Sequence, residues 1–113
     1  MSKLVHFEIT GTDSAALADF YSKLFGFNSQ PSPFLPGYHL LTSEGISGAV
    51  MDSTYKNQPA ILWFEVDNLD DRVQAIISAG GATAGDKSTI PGQGHVQYVT
   101  DPQGNIIGLK QPE

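Results

Sequence analysis

Cysteine is absent from this chain. That excludes disulfides, thiolate metal sites and thiol nucleophiles. Basic residues are scarce, six against twelve acidic ones, for a formal net charge of −6. So few cannot build the basic patch that nucleic acid or an anionic membrane surface needs, and neither is expected as a partner. No apolar run approaches the roughly 20 residues of a membrane-spanning helix. The opening, Met1-Ser2-Lys3-Leu4-Val5-His6-Phe7, is too short and too alternating for a secretory signal, so a cytoplasmic location is expected. Tryptophan occurs once and methionine twice. What is there suffices for a fold: 40% of the 113 residues are hydrophobic, enough for one compact domain with a core and no covalent staples.

Leu4 to Thr10 is β-branched and aromatic and predicts a strand. Thr12 or Asp13 can cap a following helix. Leu17, Phe20, Tyr21 and Leu24 fall at i, i+3, i+4 and i+7, one stripe of a helix that Gly26 stops. The stretch from Pro31 to Gly37 holds three prolines and predicts a loop. Strands follow at Tyr38–Thr42 and Ile46–Met51 around a Ser43-Glu44-Gly45 turn, and residues 52–59 read as a linker. The pattern then restarts. Ala60–Val66 predicts a strand, and Leu69, Val73, Ile76 and Ile77 a helical stripe ended by Gly80-Gly81. Residues 82–94 read as a loop, and His95–Thr100 and Ile106–Lys110 as strands around Asp101–Asn105.

The halves match. Phe7-Glu8-Ile9 recurs as Phe64-Glu65-Val66 at a shift of 57, and Gly37 falls on Gly94 at the same shift. An order of elements repeated at one spacing marks an internal repeat. The expectation is one domain, 1–113, made of two modules, 1–55 and 56–113. A module of about 55 residues is marginal alone, so the two should share a core.

Strand side chains alternate between faces. Phe7 and Ile9 share one face of the first strand; His6, Glu8 and Thr10 share the other. In the matching strand Leu62, Phe64 and Val66 lie opposite Ile61, Trp63 and Glu65. The apolar faces suit packing on the helices. The mixed faces then carry His6, Glu8, Trp63 and Glu65, and glutamates are rarely buried without partners. Polar groups mixed with aromatics in a concavity are the make-up of a ligand pocket.

The layout resembles the vicinal oxygen chelate superfamily of glyoxalases, bleomycin-resistance proteins and extradiol dioxygenases. His6, Asp13, Asp19-Phe20-Tyr21 and Leu24-Phe25-Gly26-Phe27 are similar to its H…D…FY…LG opening. Phe64-Glu65-Val66-Asp67-Asn68-Leu69-Asp70 looks like the opening of its second module, and Asp101-Pro102-Gln103-Gly104-Asn105 like the DPxGN turn before its last strand. The resemblance implies an α+β fold: two βαβββ modules forming a curled, mostly antiparallel eight-stranded cup with helices on its outer face. Metal-dependent members take a His from the first strand, a Glu from the fourth, a His or Glu from the fifth and a Glu from the eighth. Here those positions fall on His6, at or near Met51, on Ile61 or Trp63, and on Gly108. A thioether, an alkyl chain and a glycine supply no hard donor, so no metal and no cofactor are expected.

The candidate ligand-binding residues are His6, Glu8, Met51, Trp63, Glu65 and Tyr98. Glu8, Glu65 and His6 are the candidates for a catalytic base. His39 and His95, beside glycine-rich loops, are expected on the rim or surface. The function expected is metal-free binding or sequestration of a small organic molecule, planar or cationic given Trp63 and the acidic residues. The alternative is a lyase, isomerase or dioxygenase-type enzyme that uses Glu8, Glu65 or His6 as base or in an atypical metal site. A homodimer is expected, because exposed strand edges invite pairing and the family often pairs modules across subunits.

Overall fold

The computed structural model describes residues 2–52 and 58–113, so most of the expected linker lies outside the described residues. Two compact units make up the chain: His6–Ile61, and Leu62–Glu113 together with Met1–Val5. The fold is α+β.

The first unit takes most of β1 (Lys3–Gly11), then α1 (Ser14–Phe25), β2 (Asn28–Pro31), β3 (Tyr38–Thr42) and β4 (Ser47–Asp52). Its strands lie in the order β2-β3-β4-β1. The β2–β3 and β3–β4 pairs are antiparallel and β1–β4 is parallel. One face of this sheet is covered by α1. Phe7, Ile9, Leu17, Tyr21 and Phe27 pack there around Ala18, Leu41 and Val50. Gly48 makes room: a Cβ at that position would lie within 2.6 Å of the Phe7 carbonyl and ring.

The helix begins under two carboxylates. Asp13 accepts from the Ala16 amide at 3.0 Å, and Asp52, at the end of β4, accepts from the Ser14 amide at 3.1 Å. The Asp52 amide in turn donates to the Gly37 carbonyl at 2.9 Å. Gly37 has φ +67, and a side chain there would run into the Asp52 carboxylate. At the other end Gly26, at φ 77, returns its N–H to Ser22.

Of the expected helical stripe, Leu17 and Tyr21 pack on the core but Phe20 and Leu24 do not. Ser14 and Ala18 are the buried positions, while Phe20 is half exposed and Leu24 two-thirds exposed. The small side chains let the helix come close to the sheet, and spacing alone does not tell a close-packed small stripe from the large one beside it.

The second unit contains most of β5 (Ala60–Glu65), then α2 (Leu69–Ser78), β6 (Ala82–Thr83), β7 (Ser88–Ile90), β8 (Gly94–Thr100) and β9 (Ile106–Gln111). Its order is β5-β9-β8-β6, with β7 also on β8. Only β5–β9 is parallel. Pairing is therefore mostly antiparallel, as expected, but each unit includes one parallel pair. The segment 82–94, expected as loop, contains β6 and β7. They are two and three residues long and owe their conformation to β8 rather than to local propensity. The core joins Val66, Leu69, Val73, Val99 and Leu109, with Phe64, Ile76 and Ile107 against them. Asn68 caps α2 at the Asp71 amide, and Gln111 takes the Leu69 amide at 2.8 Å. In the β8–β9 turn the Asn105 side chain and amide, then the Gln103 amide, hold the Asp101 carboxyl below its usual range. Among the described residues no helix is long and apolar enough to cross a membrane.

Losing the long-range cap should be measurable. Asp52→Ala is expected to cost about 1 kcal/mol. That is a fall of about 4–8 °C in the thermal midpoint, with faster hydrogen exchange at the Ser14 amide.

Candidate functional site

The face of the first sheet turned away from α1 carries the polar groups. In β1 alternation puts His6, Glu8 and Thr10 there, opposite Ser47, Ala49 and Met51 of β4. Across β4, Met51 and Ala49 face Tyr38 and Leu40 of β3. Tyr38 is thus one strand removed from β1, in the row of Met51. Its phenol runs diagonally across β4 toward the rows of Glu8 and His6, where β4 carries only Ala49 and Ser47. The phenol donates to Glu8 Oε2 at 2.7 Å, and His6 Nε2 lies 3.1 Å from the phenol oxygen itself. A phenol has one proton. With that proton given to Glu8, its oxygen accepts from His6, which assigns the Nε2–H tautomer.

Glu8 is only 2% exposed. A carboxylate so enclosed is tolerable when charge-assisted hydrogen bonds meet it, and Tyr38 supplies one of them. The reciprocal effect falls on the phenol. Burial first, then the Glu8 charge and the hydrogen bond to it, push Tyr38 far above the ordinary tyrosine value. It remains a donor throughout the physiological range. Met51, 6% exposed, lies on the same face.

In the second unit the face away from α2 holds Trp63 and Tyr98, with ring centroids 5.0 Å apart at 63°. Both are aligned with Gly108 of β9. A Cβ at Gly108 would overlap the indole, so the ring lies directly over the glycine. Glu65 meets Lys3 at 3.4 Å. The structure thus groups His6, Glu8 and Met51 in one unit, and Trp63 with Tyr98 in the other. It gives Glu8 and Glu65 separate partners. Tyr38 is the residue that the sequence reading missed as a member of the site. The signal was its place at the head of β3, where alternation from Leu41 inward sends it to the polar face. His95 is partly buried in β8, with Thr89 Oγ1 at 2.8 Å from Nδ1. His39 departs from the rim expectation: its Nδ1 is enclosed and has no hydrogen-bond partner among the described residues.

A family model for the Glyoxalase/Bleomycin resistance protein/Dioxygenase superfamily matches residues 3–109. The chain belongs to this superfamily. CFP32, a putative glyoxylase of Mycobacterium bovis, is 27% identical over 114 residues, which cover 92% of this chain and 43% of that protein. The chain therefore spans less than half the length of the curated relatives it matches. A superfamily member from Vibrio splendidus superposes with a TM-score of 0.74 at 14% identity, covering 100% of both chains. Methylmalonyl-CoA epimerase from Mycobacterium tuberculosis gives 0.69 at 17% identity, over 97% of this chain and 87% of that one. At these identities the superpositions speak to the fold alone.

The metal set of this superfamily does not fit the residues present. Its four positions hold an imidazole at His6, the Met51 thioether, an alkyl or indole group at Ile61 or Trp63, and no side chain at Gly108. Ile61 is fully buried, and the space above Gly108 is filled by Trp63. Among the described residues no three His, Cys, Asp or Glu side chains gather where they could hold a metal ion.

Two measurements follow from this geometry. Because the folded-state value of Tyr38 is raised above the usual 10.0, its contribution to stability is complete below that pH. It is lost as pH rises further, since the unfolded chain gives up the phenolic proton first. Denaturant unfolding should lose stability more steeply above pH 10 in the wild type than in Tyr38→Phe. At neutral pH the variant itself should be about 1.5–3 kcal/mol less stable. Separately, Gly108→Ala must displace the indole. It is expected to cost about 1–3 kcal/mol and to shift emission from the chain's only tryptophan.

Proposed function

We propose that the chain binds a small organic molecule without a metal, with the Glu8–Tyr38–His6 hydrogen-bond chain as its polar anchor. The observation that carries this reading is a carboxylate buried on the sheet face turned away from α1 and held by a phenol and an imidazole in series. A carboxylate in that position costs stability that an apolar residue would not, a pattern typical of functional sites. The anchor offers negative charge, which suits a ligand with a cationic or hydrogen-bond-donating group. Met51 adds a polarizable, adaptable wall. Trp63, Tyr98 and Glu65 are the ligand contacts proposed on the second unit. Trp63 and Tyr98 favour a planar partner through stacking.

The same hydrogen-bond chain favours a second reading, a lyase or isomerase in which Glu8 accepts a substrate proton and Tyr38 and His6 stabilise the charge that results. Dioxygenase-type chemistry, which needs a metal, has no support in the donor set.

A thermal-shift screen separates these readings. It pairs planar and cationic organic compounds with zinc, nickel, manganese, iron and magnesium, on wild type and Glu8→Gln. A ligand at 100 times its dissociation constant stabilises by about 2.7 kcal/mol. For a chain of this size that is roughly 10 °C, and Glu8→Gln should abolish it. Turnover of the ligand that Glu8→Gln eliminates in the presence of a chelator would establish the enzyme. A comparable shift with a divalent metal, lost in His6→Ala, would overturn the metal-free reading.

A further inference from the structure

An open groove of about 690 Å³ lies at the Thr42 end of β3, the opposite end from Tyr38. It is lined by the exit of α1, at Phe25, Gly26 and Phe27, and by the β3–β4 turn, which includes Glu44. Nothing in the anchor chain of Glu8, Tyr38 and His6 uses it. Three of its features favour a cation. Phe25 presents an aromatic ring that is 66% exposed, a face on which an ammonium or guanidinium group can sit. Glu44 supplies a carboxylate on a turn pinned by Ser43, whose Oγ accepts from the Gly45 amide and donates to the Ile46 carbonyl. The groove also lies at the C-terminus of α1, the negative end of its dipole. Lys23, the one basic residue of that last turn, is already paired to Asp19 at 2.9 Å.

A second observation says how a partner could lie there. Strand β2 starts at the groove, is exposed at all four residues and ends the strand order. A smaller cavity of about 150 Å³, lined by Asn28, Ser29, Gln30 and Thr42, continues the groove along this edge. An unpaired edge accepts an extended peptide as a further strand, with side-chain pockets setting specificity. Phe20 and Leu24, half to two-thirds exposed on α1, extend the apolar surface beside Phe25.

We propose that β2 and this groove dock an extended segment of a partner protein, with a basic side chain over Phe25 and Glu44 and an apolar neighbour against Phe20 and Leu24. A second copy of this chain is a poor occupant. It carries the same net charge of −6, and three of its six basic residues are committed to its own acids.

The probe is a short peptide of alternating arginine and valine, with a glutamate–valine peptide as its control. Both are titrated into the full chain labelled for amide chemical-shift mapping. Saturable shifts confined to residues 20–31 and 42–45, seen with the basic peptide alone and weakened by salt, are the expected result. Phe25→Ala and Glu44→Gln, both exposed and each checked for an unchanged thermal midpoint, should weaken binding by about fivefold or more. Equal binding of the two peptides, shifts centred on other residues, or no saturable binding would each overturn the proposal. So would self-association of the chain through these residues.

Discussion

A carboxylate that the fold hides must be satisfied by the fold, and much of the first unit is arranged around that demand. Glu8 sits on a strand whose other face is committed to α1, so it cannot turn toward water without breaking the core made by Phe7 and Ile9. Tyr38 answers it from two strands away. The phenol leaves the row of Met51 and crosses β4 diagonally to the rows of Glu8 and His6, where β4 carries only Ala49 and Ser47. The hydrogen bond therefore ties β1 to β3 over an intervening strand, a cross-link that backbone pairing does not provide. His6 then closes the chain, and its ring is oriented by the same phenol.

The sequence makes one part of this plain and hides another. Alternation along β1 separates Phe7 and Ile9 from His6 and Glu8 with no tertiary knowledge, because a strand buried on one face leaves no other register. It does the same for Trp63. The partner of Glu8 is another matter. Tyr38 is 30 residues away and follows a proline-rich loop, and only the pairing of β3 to β4 brings it across. Local pattern also fails where a neighbour imposes the structure. The short strands β6 and β7 exist because β8 offers a ladder. The buried stripe of α1 is set by Ser14 and Ala18, whose small size is an advantage that hydrophobicity does not register. His39 reads as a rim residue from its neighbours in sequence, yet the packing encloses one of its nitrogens.

The two units spend their sheet faces differently. The first holds a charged group with a relay of hydrogen bonds. The second is lined by an aromatic pair laid over a residue with no side chain, and its one glutamate there is engaged by Lys3 at the periphery. This division accords with membership of a superfamily whose fold hosts several chemistries. The scaffold fixes which strand positions face away from the helices, and the residues at those positions decide what can be done there.

The overlap between Trp63 and Gly108 also constrains how this chain could change. A carboxylate at 108 has no room while the indole is in place, and a smaller residue at 63 leaves a void while 108 stays a glycine. Either substitution made first lowers stability, and only the pair restores packing. The two positions are therefore epistatic: the effect of a change at one reverses sign with the identity of the other. A lineage, or a protein engineer, seeking a metal ligand on this strand would have to cross a valley two substitutions wide. The route becomes passable only if stability gained elsewhere in the chain can absorb the intermediate.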